Sequence, residues 1–325
     1  MKKRLFSGIQ PSGEIHIGNY LGALKNWVRL IESHDAIYSV VDYHALTSLS
    51  GPEGFQERIL NTAAMLIAIG LDPEKCTLFV QSHVPEHTEL SWILSTVIQI
   101  GHLERMTQFK EKARQNEENV NVGLFTYPVL QTADIVLYKA EVVPVGEDQV
   151  QHLELAREIV RRFNAKFKPV FPEPKELVTA GARILGLDGK AKMSKTLGNT
   201  VSFTDTDEAI REKLKTAVTD EKRKRRTDPG DPEVCNLYTL HRHFTPPGIV
   251  EQINGDCRKA SIGCIDCKKI LAENIIREIG PFREKYFHLQ GGKGRIREAL
   301  AAGAGRCRAI ARQTMEEVRA VIGVA

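Results

Sequence analysis

The sequence predicts an α/β fold: a Rossmann-like parallel sheet that carries a helical insertion, followed by an all-helical C-terminal domain. Three observations support it. In the first half of the chain, short apolar segments alternate with longer amphipathic ones, as in a parallel sheet covered by helices. Helical patterns at 86–98, 109–115 and 128–138 then follow one another without a strand, as in an insertion. From about Gly186 onward the patterns are helical only.

The individual elements follow from the spacing of apolar residues. Short segments rich in apolar, β-branched and aromatic side chains predict strands at 5–9, 37–41, 77–80 and 142–145. Longer segments with helical spacing predict helices at 17–33, 55–69 and 148–163 in the first domain, and at 207–217, 232–243, 267–279 and 295–322 in the second. The predicted domains are 1–185, with the insertion at about 83–140, and 186–325, and the last helix is expected to pack back on the first domain.

The composition narrows the class of protein. The chain has 325 residues, of which 42% are hydrophobic and 26% charged, which suggests about two ordinary globular domains and excludes disordered, collagen-like and disulfide-stapled classes. A net charge of +4 does not by itself indicate a nucleic-acid partner, although the basic run 222–226 leaves a local polyanion site open. With no signal-peptide core and no apolar run near the ~18 residues that span a membrane, a cytoplasmic protein without a membrane partner is expected.

Four of the six cysteines lie close together in sequence, with the spacing C-x21-C-x6-C-x2-C. A cytoplasmic protein keeps its thiols reduced, so such clustering favours metal ligands over disulfides. A four-thiolate site suits either zinc or a 4Fe–4S cluster, and the spacing does not choose between them. The predicted ligands are Cys235, Cys257, Cys264 and Cys267, whereas Cys76 and Cys307 are expected to be structural.

Two segments have the residues of a nucleotide site. The first signature, residues 8–19 (GIQPSGEIHIGN), is a strand end, a glycine-containing turn and a helix start, where backbone N–H groups can approach a polyphosphate. The second signature, residues 192–196 (KMSKT), offers two lysines and two hydroxyls that can hold a triphosphate. Alone, the first could be simple packing and the second an ordinary basic loop.

Together the two signatures resemble those of class I aminoacyl-tRNA synthetases. Further blocks at 6–13, 104–110, 126–128, 133–135 and 143–149 are similar, in the same order, to those of the tryptophanyl-tRNA synthetase family. The resemblance implies a nucleotide-binding catalytic domain and an anticodon-binding domain. It also implies the joining of L-tryptophan to its tRNA through a tryptophanyl adenylate, with release of AMP and pyrophosphate. The implied partners are tRNA(Trp), tryptophan, ATP with Mg²⁺ and a second copy in a homodimer, with no role for DNA.

The same resemblance implies the roles of individual residues. ATP is expected between the two signatures, and its implied contacts are Gln10, Pro11, Ser12, Gly18, Asn19, Gly146, Glu147, Asp148, Ile184, Lys192, Met193, Ser194, Lys195 and Thr196. The implied catalytic residues are Lys192, Lys195, Ser194 and Asn19, with Lys110 as a further candidate. The implied tryptophan contacts are Asp134, Phe6, Gly8, Gln10, Gln131, Val143, Val145 and Gln149.

Substrate identity is expected to depend on Asp134. A buried carboxylate can accept the indole N–H, and it rejects phenylalanine because its own desolvation would then be uncompensated. Alternatively, Asp134 is an ordinary helix residue whose carboxylate is hydrogen-bonded by its neighbours. Phe6, Val143 and Val145 would form apolar walls of the tryptophan site, but they can equally be part of the hydrophobic core. Gln131 occupies a position where the tryptophanyl family often has methionine. The pattern Gln-x-x-Asp also resembles that of tyrosyl enzymes, so tyrosine remains an alternative substrate. Phe6, which lacks a hydroxyl for a phenol, favours tryptophan.

Two further functions fit the sequence less well. A non-catalytic tRNA-binding paralogue is disfavoured because both signatures are intact, and a different adenylate-forming enzyme would leave the helical domain without a use.

The family resemblance also bears on the metal. A subset of the tryptophanyl family carries a 4Fe–4S cluster in the anticodon-binding domain with a similar cysteine arrangement. The resemblance therefore favours the iron–sulfur cluster, with zinc as the alternative.

Overall fold

The computed structural model describes residues 2–110, 120–146, 149–178 and 184–324. The chain forms two compact units, each assembled from segments that are distant in sequence. The first unit comprises Met1–Ser12, Asn26–Ala180 and Leu289–Ala325, and the second comprises Gly13–Lys25 and Gly181–His288. No helix in the described ranges combines the length and the apolar composition needed to cross a membrane.

The first unit is built on a sheet of five parallel strands in the order β3-β2-β1-β4-β5. Its strands are β1 (Arg4–Ile9), β2 (Asp35–Val40), β3 (Thr77–Val80), β4 (Val142–Val145) and β5 (Lys175–Val178). This sheet, with its surrounding helices, confirms the predicted fold class. The sequence missed β5 because this four-residue edge strand begins with two charged residues, Lys175 and Glu176, and so lacks an apolar pattern.

The helices follow the predictions with a few differences. In chain order they are α1 (Ile17–Asn19), a π turn (Tyr20–Leu24), α2 (Lys25–Leu30), α3 (Asp42–Ala45), α4 (Phe55–Ile69), α5 (Glu86–Ser95), α6 (Ile100–Glu104), α7 (Val122–Val136), α8 (Val150–Lys166), α9 (Asp207–Thr216), α10 (Asn236–Phe244), α11 (Pro247–Arg258), α12 (Cys264–Gln290) and α13 (Lys293–Ile322). The predicted helix 109–115 lies mostly outside the described residues.

Proline explains two of the differences. Helix α11 was not predicted because it opens with Pro247 and Gly248, which resemble a turn, yet proline is well suited to the first position of a helix. Helix α12 was expected to stop at Ile279, before Gly280 and Pro281, but the helix continues through this proline to Gln290.

The predicted 17–33 helix is interrupted by the π turn and ends at Leu30.

Helix α13 packs directly against strand β3 within the first unit. The approach is close at Gly303, where an added Cβ would lie 1.9 Å from the carbonyl oxygen of Leu78. Around it, Ala304, Cys307, Ala311 and Met315 are buried in the same apolar core as Phe6 and Ile135. Cys307 is thus a packing residue, since a small side chain is what this helix–sheet contact accommodates.

Gly303→Ala is therefore expected to lower the free energy of unfolding by about 2–4 kcal/mol, because the helix has to move away from the sheet. Gly305→Ala is the matched control on the same helix, where an added Cβ meets no described atom within 4 Å. It should be neutral or stabilising by up to about 1 kcal/mol, since alanine favours helices. Urea unfolding measures both variants, and equal stabilities would contradict the close contact.

Candidate active site

The strand order reverses at the centre of the sheet in the first unit. Strands β1 and β4 are neighbours, while the chain leaves β1 for β2 on its other side, so the strand order reverses between them. In open α/β sheets, ligands bind at the carboxyl ends of the strands at such a switch point. Phe6 and Gly8 lie on β1, and Val143 and Val145 lie on β4, so four predicted tryptophan contacts flank this point.

The apolar residues among them are also part of the core. Phe6, Val143 and Val145 are buried in one apolar cluster, and the ring of Phe6 stacks on Tyr138 with centroids 5.6 Å apart. At Gly8, an added Cβ would lie 2.7 Å from Cγ1 of Val41, so glycine is required by packing. The core-packing alternative therefore holds for these residues, and it is compatible with a wall of a binding pocket.

Asp134 lies on α7 with 1% of its surface exposed. Gln81 Nε2 donates to both carboxylate oxygens, at 2.8 Å and 2.9 Å. His44 Nε2 lies 2.7 Å from Oδ2, and His87 Nδ1 lies 2.6 Å from Oδ1 as a close ion-pair contact. The carboxylate therefore has polar neighbours of its own, in addition to any ligand.

These neighbours hold Asp134 in its charged form. Burial alone would raise the pKa of this carboxyl group, but the charges and hydrogen bonds of His87 and His44 outweigh burial and lower the pKa to about 2. An ionised carboxylate only accepts hydrogen bonds. Asp134 is thus suited to an N–H donor and unsuited to an apolar ligand or to another anion.

Sequence reasoning missed the three residues that hold Asp134. His44 and Gln81 follow strands β2 and β3 closely, and His87 lies on the first turn of α5. The carboxyl ends of parallel strands meet at one edge of the sheet, and this rule could have directed attention to polar residues at 42–44 and 81–83. The network extends further, because Tyr138 Oη lies 2.6 Å from His87 Nε2.

Two further predicted tryptophan contacts, Gln131 and Gln149, lie on or beside helices of the first unit. Gln131 is half-buried on α7, one turn before Asp134. Gln149 precedes α8, and its backbone N–H donates to the carbonyl of Gly146 at 2.9 Å. Glu147 and Asp148 lie outside the described residues.

The two signatures meet within the second unit. An added Cβ on Gly13 would lie 3.1 Å from Cδ of Lys195, and one on Gly18 would lie 3.1 Å from Cβ of Met193. The pKa of His16 is lowered to about 4 by burial and by the positive charge of Lys192. Residues nearly 180 positions apart in sequence are thus neighbours, which is the arrangement that the signature pair predicted.

Hydrogen bonds fix the helical start of the first signature. Asn19 N–H donates to His16 Nδ1 at 3.3 Å, and the His16 N–H donates to Asn19 Oδ1 at 3.1 Å, forming a capping box. The Ile17 N–H donates to the carbonyl of Val201 at 3.0 Å. Asn19 therefore has a structural role in the described contacts, whatever it does toward a nucleotide.

The second signature is held by residues outside it. Met193 N–H donates to the carbonyl of Ile184 at 3.0 Å, and Ser194 N–H donates to Asn199 Oδ1 at 2.8 Å. Asn199 Nδ2 in turn donates to Asp188 Oδ2 at 2.9 Å. Sequence reasoning missed Asn199 and Asp188. The loop backbone is thus supported while the side chains of Lys192, Lys195 and Thr196, which were predicted to contact ATP, remain exposed.

Four other predicted residues lie in the first unit. Gln10, Pro11 and Ser12 directly follow β1, with Pro11 buried and Ser12 exposed. Lys110 is exposed and adjoins residues 111–119, which lie outside the described ranges.

The four clustered cysteines are all half-buried in the second unit. Cys235 precedes α10, Cys257 lies near the end of α11, and Cys264 and Cys267 lie on the first turn of α12. They are close enough to affect one another, since burial and the charges of the other three cysteines raise the pKa of Cys267 to about 12. Within the described part of the chain, however, no group of three His, Cys, Asp or Glu side chains is arranged to hold a metal ion.

Two observations beside these cysteines suit an anionic group. Arg223 Nη1 lies 3.7 Å from the sulfur of Cys257, and its buried Nε has no hydrogen-bond partner among the described residues. An added Cβ on Gly230 would lie 2.6 Å from the same sulfur, so the backbone approaches it closely. His241 Nε2 lies 3.3 Å from Cys267 Sγ, a contact that the cysteine spacing does not predict. A four-thiolate centre therefore fits the chemistry of these residues, although their sulfurs do not form its geometry.

A comparison with protein-family models identifies the family. The model for tRNA synthetases class I (W and Y) matches residues 1–279, which is most of the chain. A curated relative from Deinococcus radiodurans, named tryptophan–tRNA ligase, is 49% identical over 325 residues, covering 98% of each chain.

Solved structures agree with the family match. The tryptophanyl-tRNA synthetase of Campylobacter jejuni, in complex with ADP and tryptophan, is 35% identical, covers 99% of this chain and 100% of its own, and superimposes with a TM-score of 0.90. The tyrosyl-tRNA synthetase of Archaeoglobus fulgidus, at 21% identity, 88% and 90% coverage and a TM-score of 0.69, shares the fold. With its meeting signatures and its parallel sheet, the chain belongs to the class I tRNA synthetases for tryptophan and tyrosine.

Proposed function

We propose that this enzyme, a tryptophan–tRNA ligase, works in two steps at the residues described above. The tryptophan carboxylate attacks the α-phosphorus of ATP, forming tryptophanyl adenylate and releasing pyrophosphate. A terminal ribose hydroxyl of the tRNA then attacks the activated carbonyl and releases AMP. The observation that carries the proposal is the meeting of the two signatures, Gly13 against Lys195 and Gly18 against Met193.

The first step needs positioning and charge stabilisation rather than a protein nucleophile. Lys192 and Lys195 would bind the phosphates and stabilise the charge that develops on them, assisted by Ser194 and Asn19. Their exposure in a loop whose backbone is held by Asn199 leaves the lysines free to follow the phosphates. Mg²⁺ bound to the nucleotide would share the phosphate charge. Lys110 and the remaining predicted ATP contacts stay predictions.

Asp134 would select tryptophan by accepting its indole N–H. Both carboxylate oxygens already contact donors, so the indole has to join or replace one of them. His44 is the most exposed of the three, at 6% against 0% for Gln81 and His87, and is the best candidate to yield. Phenylalanine offers no N–H and would leave the ionised carboxylate uncompensated.

Tyrosine is the competing substrate, since Gln131 resembles the tyrosyl pattern. Pyrophosphate exchange measured with each amino acid separately tests the choice. We expect exchange with tryptophan and at most about one thousandth of that kcat/KM with tyrosine, because Phe6 offers the phenol hydroxyl no hydrogen-bond partner, whereas Asp134 would accept the indole N–H. Greater activity with tyrosine would overturn the assignment.

We further propose that residues 1–185 form the catalytic domain, with an insertion at about 83–140, and that residues 186–325 form the anticodon-binding domain, whose last helix packs back on the catalytic domain, in a cytoplasmic enzyme. The exposed basic side chains Lys222, Lys224, Arg225 and Arg226 offer positive charge for tRNA phosphates. In the same region, Cys235, Cys257, Cys264 and Cys267 would hold a 4Fe–4S cluster, with zinc as the alternative. The cluster would act as a structural crosslink between helices α10, α11 and α12.

Cys264→Ser is expected to remove the metal and to weaken tRNA charging at least tenfold while changing pyrophosphate exchange by less than about twofold, because α12 then loses its crosslink near the anticodon-binding surface. The conversion Cys76→Ser, in the first unit, is the control and should retain the metal. Iron and zinc analysis, with absorbance near 400 nm, identifies the metal. Equal losses in charging and exchange would indicate a general folding role instead.

A homodimer is also proposed, on exposed apolar residues of the first unit. Leu46, Trp92, Ile100 and Val122 are 50%, 74%, 66% and 77% exposed. The elements that carry them are neighbours, since α7 contacts α5, α6 and the turn at 46–48. Large apolar side chains exposed on neighbouring elements are typical of an interface. Sedimentation equilibrium should give twice the chain mass of 36.4 kDa, and a monomer would contradict the proposal.

A further inference from the structure

The helix that starts in the first signature changes its winding immediately afterwards, at the π turn Tyr20–Leu24. In an α-helix, two residues five positions apart point about 140° away from each other, at about 100° per residue. In a π turn the backbone bond joins residues five apart, which places one above the other. Lys25 N–H donates to the carbonyl of Tyr20, and its ammonium lies 5.3 Å from the centroid of the Tyr20 ring.

One carboxylate on α12 binds both members of this pair. Glu278 Oε1 accepts from Tyr20 Oη at 2.9 Å and from Lys25 Nζ at 2.9 Å. The Lys25 and Glu278 side chains are about 30% exposed, and Tyr20 is buried against the rings of Phe203 and Phe282. A regular α-helix would direct Tyr20 and Lys25 to different sides, so their shared contact with Glu278 favours the π turn.

The signature itself lies between this turn and a second attachment. Ahead of the turn, Ile17 N–H is bound to the carbonyl of Val201, and Phe203 N–H donates to the carbonyl of Ile15 at 3.1 Å. Phe203 also contacts Tyr20, with ring centroids 5.4 Å apart. Gly18 and Asn19 are therefore held from both ends, and Gly18 lies against Met193.

We infer that Glu278 is a positioning residue for the ATP site, which it serves by holding the π turn after the first signature. This inference rests on the proposed ATP site at the two signatures. Without the carboxylate, the segment 20–24 can return to α-helical winding, which rotates the signature residues relative to the turn. The nucleotide site would suffer, whereas the tryptophan site around Asp134, in the first unit, would not.

Kinetics of pyrophosphate exchange test the inference with three variants. Glu278→Ala should raise the KM for ATP about tenfold, and Glu278→Gln, which keeps an acceptor for Tyr20, about threefold. Both should leave the KM for tryptophan within about twofold. Glu273→Gln is the matched control, because Glu273 lies on the same helix and pairs with Arg211 at 2.8 Å, away from the turn. It should leave both constants unchanged.

A further variant, Tyr20→Phe, distinguishes a positioning role of Glu278 from a loss of folding. If Glu278 acts through Tyr20, then Tyr20→Phe should raise the KM for ATP alone but add little in the Glu278→Ala background. Wild-type exchange with tryptophan establishes the proposed function independently. If wild type is active but Glu278→Ala leaves the KM for ATP unchanged, or raises both KM values equally, Glu278 is not a positioning residue for the nucleotide.

Discussion

Asp134→Asn is expected to lower kcat/KM for tryptophan in pyrophosphate exchange by about a thousandfold, which corresponds to about 4 kcal/mol. The amide keeps the shape of the side chain but loses the negative charge, and an NH₂ donor replaces one of the two acceptor oxygens. That donor faces Gln81 or His44, which also donate to the carboxylate, or His87, whose Nδ1 lies 2.6 Å from it. The site therefore loses both an acceptor for the indole and the arrangement of its supporting residues.

The effect should appear in the tryptophan parameters, while the KM for ATP stays within about threefold. Asp72→Asn is the matched control, because the Asp72 carboxylate accepts the Glu74 N–H at 3.0 Å in a turn of the same unit. We expect this control to retain wild-type exchange. A similar rise in the KM for both substrates of Asp134→Asn would instead indicate a damaged fold, and full activity would remove Asp134 from the substrate site.

Lys195→Ala is expected to lower kcat of exchange by about 10²- to 10³-fold, with the KM for tryptophan unchanged. The side chain lies along Gly13, so its ammonium is within reach of a nucleotide bound at the first signature. A positive charge aimed at oxygens that gain charge in the transition state is worth several kcal/mol in a site that excludes water. The loss should therefore appear in kcat rather than in tryptophan binding.

Lys190→Ala controls for the loss of one positive charge from the same loop. The Lys190 side chain is exposed, whereas its backbone N–H is what binds Asp188. Stopped-flow measurement of adenylate formation compares the two lysine variants directly. Equal rates for Lys195→Ala and wild type would show that Lys195 does not act in the chemical step.

The central elements of the fold were predictable from local pattern. The predicted strands 77–80 and 142–145 and the helix 55–69 match the structure to the residue. Each is a compact apolar segment, and the helix ends at Gly70, which adopts a φ of 126° that other residues avoid. Strand β5 was not predictable in this way, because it is recognised by its pairing with β4 rather than by its own residues.

The candidate site was predictable only in part. Asp134 and the two signatures were identified from their resemblance to a known family. His44 and Gln81 were not, because they lie 90 and 53 residues from Asp134 and approach it only through the topology of the sheet. A single histidine or glutamine in sequence has no pattern that distinguishes such a role from an ordinary surface position.

The cysteine cluster shows a different limit of sequence reasoning. Spacing predicts which sulfurs belong together, and the structure brings all four into one region of the second unit. The choice between zinc and iron depends on the electronic preference of the metal for similar ligands. Four thiolates are suited to both, so chemical analysis rather than sequence or fold has to identify the metal.

The most direct test of indole recognition by Asp134 compares tryptophan with its analogue that has sulfur in place of the indole N–H. Equilibrium binding of both ligands is measured with wild type and with Asp134→Asn, which isolates the single contact between carboxylate and N–H. We expect wild type to prefer tryptophan by about a hundredfold and Asp134→Asn to reduce the preference to within about threefold. An equal preference in both proteins would contradict the claim that Asp134 recognises the indole.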